Sequence, residues 1–122
     1  MPATPGEAVQ KVVAVVTDLF FVARIRETAR LVGVPLVFAR TPDEVDRALK
    51  EAARFALIDL TSRLDHDAIL RACERAGVPV LAFTTHVLAG ATRAWHARCQ
   101  RVITKEVLAR DLGALLAKGL AA

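Results

Sequence analysis

Five short apolar runs recur along the chain at near-even spacing: Val12 to Val16, Val34 to Ala39, Phe55 to Leu60, Val78 to Phe83 and Val102 to Thr104. They begin about every 22 residues, the length of one strand plus one helix. The runs are continuous rather than alternating, as expected for parallel strands covered on both faces. Between them lie amphipathic segments with readable starts and stops. Thr41-Pro42-Asp43-Glu44 reads as a helix start, with Thr41 as N-cap, Pro42 at the first helical position and Glu44 completing a capping box. Gly33-Val34-Pro35-Leu36 and Gly77-Val78-Pro79-Val80 read as twin helix-to-strand junctions, with Gly ending the helix and Pro entering the strand before its central part. The last helix is predicted from about 106 to 118. Residues 1–10 read as a loose N-terminal tail and 11–122 as a single domain. Strand and helix alternating five times predict an α/β fold, an open, doubly wound parallel sheet with helices on both faces.

At 122 residues, one core can form without metal or disulfide staples. No apolar run approaches the roughly 20 residues needed to span a bilayer, and no signal-like segment opens the chain, so the expectation is a cytoplasmic protein without a membrane partner. Cys73 and Cys99 lie apart in helix-like segments without metal-type spacing and read as reduced, half-buried thiols. The formal net charge of +4 is unevenly distributed. Residues 1–83 carry 11 Lys+Arg against 11 Asp+Glu, whereas residues 84–122 carry six (Arg93, Arg98, Arg101, Lys105, Arg110, Lys118) against two (Glu106, Asp111). A basic last third suggests a docking face for something acidic. Nucleic-acid binding is disfavoured, because Tyr is absent, few aromatics are available for stacking and Arg is spread over several helices.

In open parallel sheets, function collects at the carboxyl ends of the strands. Those ends carry Thr17-Asp18, Arg40, Asp59, Thr84-Thr85-His86 and Lys105. Asp59 stands out because it interrupts a run, Phe55-Ala56-Leu57-Ile58-Asp59-Leu60, that otherwise reads as a buried strand. A carboxylate leaves water at a cost of several kcal/mol, so it needs a partner, a metal or a chemical use. Asp18 and Asp59 form a carboxylate pair suited to Mg²⁺, a hard cation that takes oxygen ligands and keeps waters. Lys105 and Thr84 suit a phosphoryl group, one as a charge and the other as a donor. If the strand ends converge, Asp18, Asp59, Thr84 and Lys105 surround one shallow pocket. Trp95 falls on a stripe of Leu88, Ala91, Trp95 and Cys99 and is expected to be core. His86 reads as an exposed loop histidine, and His66 between Asp65 and Asp67 as part of a helix start.

With "VVTDLFFVARI" at the first strand end, "ALIDL" at the third, "VPVLAFTT" at the fourth and "RVITK" at the fifth, the chain resembles the CheY-like receiver domain of two-component response regulators, from about Val12 to Lys118. The resemblance implies a five-stranded sheet of order 2-1-3-4-5. It implies that Asp59 is the phosphoacceptor, that Asp18, Asp59 and the backbone carbonyl of Thr61 hold Mg²⁺, and that Thr84 and Lys105 contact the phosphoryl group. It also implies a histidine kinase or other signalling protein as partner, and no enzymatic activity beyond turnover of the receiver's own aspartyl phosphate. With no output domain in the sequence, signalling is expected to pass by docking.

Four departures from the family pattern bear on the site. Thr17 stands where receivers usually have an acid, which implies a weakened Mg²⁺ site. Glu106 replaces the usual proline after the lysine, and Val102 stands where many receivers have an aromatic. Thr85 fills a commonly small position that controls access. The alternative reading is therefore a pseudo-receiver, an interaction or dimerisation module that works without phosphate. In either case the expected partner or homodimer face lies on the fourth helix, fifth strand and fifth helix, with Arg93, Arg98, Arg101 and Arg110 as a charged rim. Leu19-Phe20-Phe21 is a competing patch.

Overall fold

The computed structural model describes residues 10–121; of the tail predicted at 1–10, all but Gln10 lies outside the described residues. Strands and helices alternate throughout: β1 (Lys11–Val15), α1 (Leu19–Val32), β2 (Leu36–Phe38), α2 (Pro42–Ala48), β3 (Ala53–Asp59), α3 (His66–Ala76), β4 (Val80–Thr84), α4 (Ala89–His96), β5 (Arg101–Thr104) and α5 (Lys105–Lys118). A short 3₁₀ turn follows at Gly119–Ala121. The strands form one parallel sheet in the order β2-β1-β3-β4-β5.

The continuous apolar runs arise because successive strand residues point to opposite faces and both faces are covered. Val12, Ala14, Phe55, Leu57, Leu81 and Phe83 face α1 and α5, where they meet Phe21, Ile25, Leu108, Leu112 and Leu115. Val13, Val15, Ala56, Ile58, Val80 and Ala82 face the other side, packing with Val45 of α2 and with Ile69, Leu70 and Cys73 of α3.

The local punctuation works as its chemistry requires. Gly33 and Gly77 end α1 and α3 at φ 71° and 67°, left-handed conformations that cost a residue with a Cβ. Thr41 Oγ1 accepts from the Glu44 N–H at 3.1 Å, while Glu44 Oε1 accepts from the Thr41 N–H at 3.2 Å, closing the capping box. Pro35 and Pro79 precede their strands and still serve the sheet through their carbonyls, which accept from Val12 N–H and Ala56 N–H.

The fourth helix corrects the expected stripe. Thr92 is the buried residue of α4, Trp95 and Cys99 are only half-buried, and Leu88 and Ala91 are exposed. The inward face is thus rotated by about one position from the apolar pattern. Among the described residues no helix is long and apolar enough to cross a membrane.

Candidate functional site

Sheet register aligns the candidate residues at one edge. Asp59 pairs with Phe83 and Thr84 with Thr104, so Asp59, Thr84 and Lys105 emerge from three adjacent strands at neighbouring levels. Asp18 lies at the same edge, three residues past Val15, which pairs with Ile58.

Asp18 is the N-cap of α1. Its Oδ1 accepts from Phe20 N–H at 2.9 Å and from Phe21 N–H at 3.2 Å, satisfying donors that a helix start leaves without internal partners. Its Oδ2 faces Lys105 Nζ at 3.9 Å. Lys105 opens α5, and its ammonium also lies 5.1 Å from the Phe21 ring centroid, a favourable cation–π position. The packing of α1 beside α5 over Phe21 therefore brings the acid and the ammonium together.

Asp59 ends β3 and is buried, 3% exposed. Its Oδ1 accepts from Thr61 N–H at 2.8 Å and from Thr61 Oγ1 at 2.6 Å. Its carbonyl accepts from Ser62 N–H and from Ser62 Oγ at 2.7 Å. The carboxylate inside the apolar run is thus stabilised by its own turn, in the manner of aspartates that bond the backbone two residues on. The carboxylate is bonded by Thr61, whereas the ion pair of Lys105 is with Asp18.

Thr84 is also buried, 4% exposed, and its hydroxyl lies 3.1 Å from Thr92 Oγ1 on α4. It lines a groove of about 640 Å³ between α4 and α5, shared with His96, Val102, Ile103 and Arg110. Thr92, which makes this contact, and His96, whose Nε2 lies 2.8 Å from Thr92 Oγ1, were not legible in the sequence as site residues. A threonine and a histidine on a short helix read as surface, and no motif marks them.

The accessory residues separate. Thr17 lines a shallow cleft of about 250 Å³ with Leu19, Arg26, Phe38 and Arg40, toward β2. Thr85 Oγ1 accepts from Leu88 N–H at 3.1 Å and so supports the turn into α4. His86 is exposed, with Nε2 3.7 Å from the Glu106 carboxylate. His66 is buried, its Nε2 2.8 Å from the Ser62 carbonyl oxygen and its ring 4.9 Å from that of Trp95, while Asp65 supplies the cap of α3 by accepting from Ala68 N–H.

The charged rim also needs correction. Arg98 binds Glu74 at 2.8 Å and Asp67 at 3.0 Å, both on α3, so it braces α4 against α3 rather than edging the α4-β5-α5 face. Arg110 pairs with Asp111 at 2.9 Å, and Arg101 reaches the Leu120 carbonyl at 3.4 Å. In the competing patch Phe21 is core, but Leu19 and Phe20 are 82% and 70% exposed.

Among the described residues no group of three or more His, Cys, Asp or Glu side chains could hold a metal. The donor set nevertheless suits a hard cation bound weakly: Asp18 and Asp59 each keep one carboxylate oxygen outside the local hydrogen bonds described above, and backbone carbonyls and waters are ordinary Mg²⁺ ligands.

No protein-family model matches the chain, and no curated protein matches it. Solved structures do. A receiver domain of a sensor histidine kinase from Pseudomonas aeruginosa PAO1, with a magnesium ion coordinated in its active-site cleft, is 20% identical at a TM-score of 0.70, covering 94% of this chain and 100% of that one. The chemotaxis protein CheY4 of Vibrio cholerae is 18% identical at a TM-score of 0.72, over 93% of this chain and 100% of that one. A CheY-like response regulator receiver domain from Methanospirillum hungatei JF-1 is 20% identical at a TM-score of 0.70, over 93% and 95%. The fold is that of a CheY-like receiver domain.

Proposed function

We propose that this chain is a receiver-type signalling domain that accepts a phosphoryl group on Asp59, from a histidine kinase or a small phosphodonor, and transmits its state by docking. The observation that carries this reading is the Lys105–Asp18 contact at 3.9 Å, at the sheet edge where β3 ends in Asp59. An ammonium held by one carboxylate at the edge where a second carboxylate ends its strand supplies charge neutralisation for phosphoryl transfer to that second carboxylate.

An Asp59 oxygen attacks phosphorus as the bond to the donor's leaving group breaks, and the leaving group departs with that electron pair. Little covalent chemistry is asked of the other side chains, so their work is positioning and charge neutralisation. Lys105 offsets negative charge on the transferring oxygens, and Thr84 donates a hydrogen bond to one of them. Asp18, Asp59 and the Thr61 carbonyl would hold Mg²⁺, which supplies further charge neutralisation. With Thr17 in place of an acid, the site has one carboxylate fewer to attract the ion.

One observation favours a second reading, a phosphate-independent pseudo-receiver. Thr61 Oγ1 at 2.6 Å and the Thr61 N–H at 2.8 Å tie one oxygen of the Asp59 carboxylate into its own turn. Incubation with Mg²⁺ and acetyl phosphate, followed by intact mass, separates the two. One added phosphoryl group, absent from Asp59→Asn, is expected; no added mass on the wild type leaves the pseudo-receiver.

A further inference from the structure

The crevice between α1 and β2 carries residues that the phosphoryl reading leaves without a task. Thr17, Val22, Arg26, Phe38 and Arg40 line its cleft of about 250 Å³, together with the exposed Leu19. Strand order sets this cleft apart from the candidate site: Arg40 follows β2, Thr17 follows β1 in the middle, and Asp59 ends β3 on the other side. Among the described residues the guanidiniums of Arg26 and Arg40 make no hydrogen bond and no ion pair. The Arg26 guanidinium carbon lies 5.3 Å from the Phe38 ring centroid, a cation–π position that holds the group without consuming its N–H donors. The acids that could quench these cations are engaged elsewhere. Glu27 pairs with Arg30. Glu44, whose charge reaches Arg40, spends Oε1 on the Arg40 and Thr41 N–H groups and on the Thr41 hydroxyl. Asp18 accepts from Phe20 and Phe21 and faces Lys105. An acid at position 17 would supply the missing counter-charge, but the residue there is threonine, which offers a neutral hydroxyl.

We infer that this cleft binds a small phosphate-headed anion, with Arg26 and Arg40 as charged donors and the Thr17 hydroxyl as a neutral one. The site is separate from Asp59, and the inference does not rest on the phosphoryl reading. Donor number, charge and size define the ligand class. One guanidinium fork already saturates a carboxylate, whereas two forks and a hydroxyl match the three terminal oxygens of a phosphate monoester. Two uncompensated cations likewise suit a doubly charged head. Drug-sized ligands occupy about 300–1,000 Å³. A cleft of about 250 Å³ therefore admits a phosphate carrying a body of only a few atoms and excludes a nucleotide. Val22 and Phe38 give that body apolar walls.

The test is an NMR titration of the isotope-labelled protein with inorganic phosphate in Mg²⁺-free buffer, beside titrations with sodium acetate and sodium chloride at equal ionic strength. Phosphate should shift the amides of Thr17, Leu19, Ala39 and Arg40 saturably, and chloride should not. Arg26→Gln and Arg40→Gln should each weaken binding about tenfold, the worth of one charge-assisted hydrogen bond. Thr17→Val should weaken it about fivefold, as for a neutral bond. Thr17→Asp should abolish it, because a carboxylate then repels the anion. Lys105→Ala, which alters the candidate site but not the cleft, should bind phosphate like the wild type. The altered cleft residues are exposed or half-buried, and the same spectra report whether each variant is folded. Shifts confined to the amides around Asp59, Thr84 and Lys105, and lost in Lys105→Ala, would place the phosphate at the sheet-edge site and overturn the cleft. Shifts that grow linearly and match those with chloride would reduce the effect to ionic strength and overturn it as well. Acetate bound as tightly as phosphate would overturn the assignment of a phosphate head.

Discussion

Asp59 illustrates what single residues disclose and what they withhold. Its place in an apolar run announces that the carboxylate is buried and must have a partner, and the structure has it 3% exposed. The identity of that partner is not legible, because an aspartate bonded to a residue two positions on looks in sequence like any Asp-Leu-Thr. The lysine two strands further along the chain is the more conspicuous candidate, yet it pairs with Asp18. Replacing Thr61 by Val removes the 2.6 Å hydroxyl bond and keeps the backbone one. The expected outcome is a carboxylate more available to acetyl phosphate, with phosphorylation of Asp59 several-fold faster by intact mass and stability lower by about 1 kcal/mol. Slower phosphorylation would mean that the hydroxyl assists the transfer. The two thiols make a separate prediction. Burial pushes Cys73 from 9.0 up to about 11, with lesser contributions from Cys99, Glu74 and Asp46, and burial pushes Cys99 to about 11 against the opposing charge of Arg98. A thiol whose pKa is raised on folding contributes full stability below the unfolded value and loses it as pH rises through the folded one. The melting temperature should therefore decline between pH 9 and about 11, and less steeply in Cys73→Ala.

At the scale of elements, legibility followed locality. The capping box at Thr41 and the glycine stops at Gly33 and Gly77 are set by residues three or four positions apart, and each stands where the sequence places it. Strand limits were less accessible: the apolar run from Val34 to Ala39 yields only three strand residues, Leu36–Phe38, because Pro35 delays entry and β1 offers partners for so short an edge. The fourth helix followed the apolar pattern only in part: Trp95 and Cys99 pack half-buried against the core, while Leu88 and Ala91 are exposed. A hydrophobic stripe presumes that the inward residues are apolar, and here the fully buried residue is a hydroxyl with three polar neighbours. The α2 cap gives the clearest element-level test. Thr41→Ala leaves the Glu44 N–H without its side-chain acceptor and should cost about 1 kcal/mol in urea denaturation, with the slope unchanged. A loss indistinguishable from zero would show that water replaces the cap at no cost.

At the scale of the whole molecule, five strand-helix repeats limit the architecture to an open parallel sheet, but equal spacing permits several strand orders. The order β2-β1-β3-β4-β5 was readable only through likeness to receiver domains. Charge is the other global feature. The excess of +4 lies in the last third of the sequence, yet folding divides those cations among different tasks. Lys105 serves Asp18, Arg98 braces α3, and Arg93 and Arg110 remain exposed on α4 and α5. Beside Arg93, α4 turns Gly90 and Ala94 outward, and Ala97 is exposed just past its end, small residues over which another chain can approach closely. The rival surface is apolar: Leu19 and Phe20 at the start of α1, 82% and 70% exposed. Charged rims chiefly accelerate and orient association, whereas apolar anchors hold it. Reversing Arg93 and Arg110 to Glu should therefore weaken self-association in sedimentation velocity mainly by slowing its formation, with the deficit shrinking as salt screens the charges. Circular dichroism should be unchanged, since both side chains are exposed. If Phe20→Ala abolishes self-association while the double reversal leaves it intact, or cross-links map to α1, the docking face is the α1 edge and not α4-β5-α5.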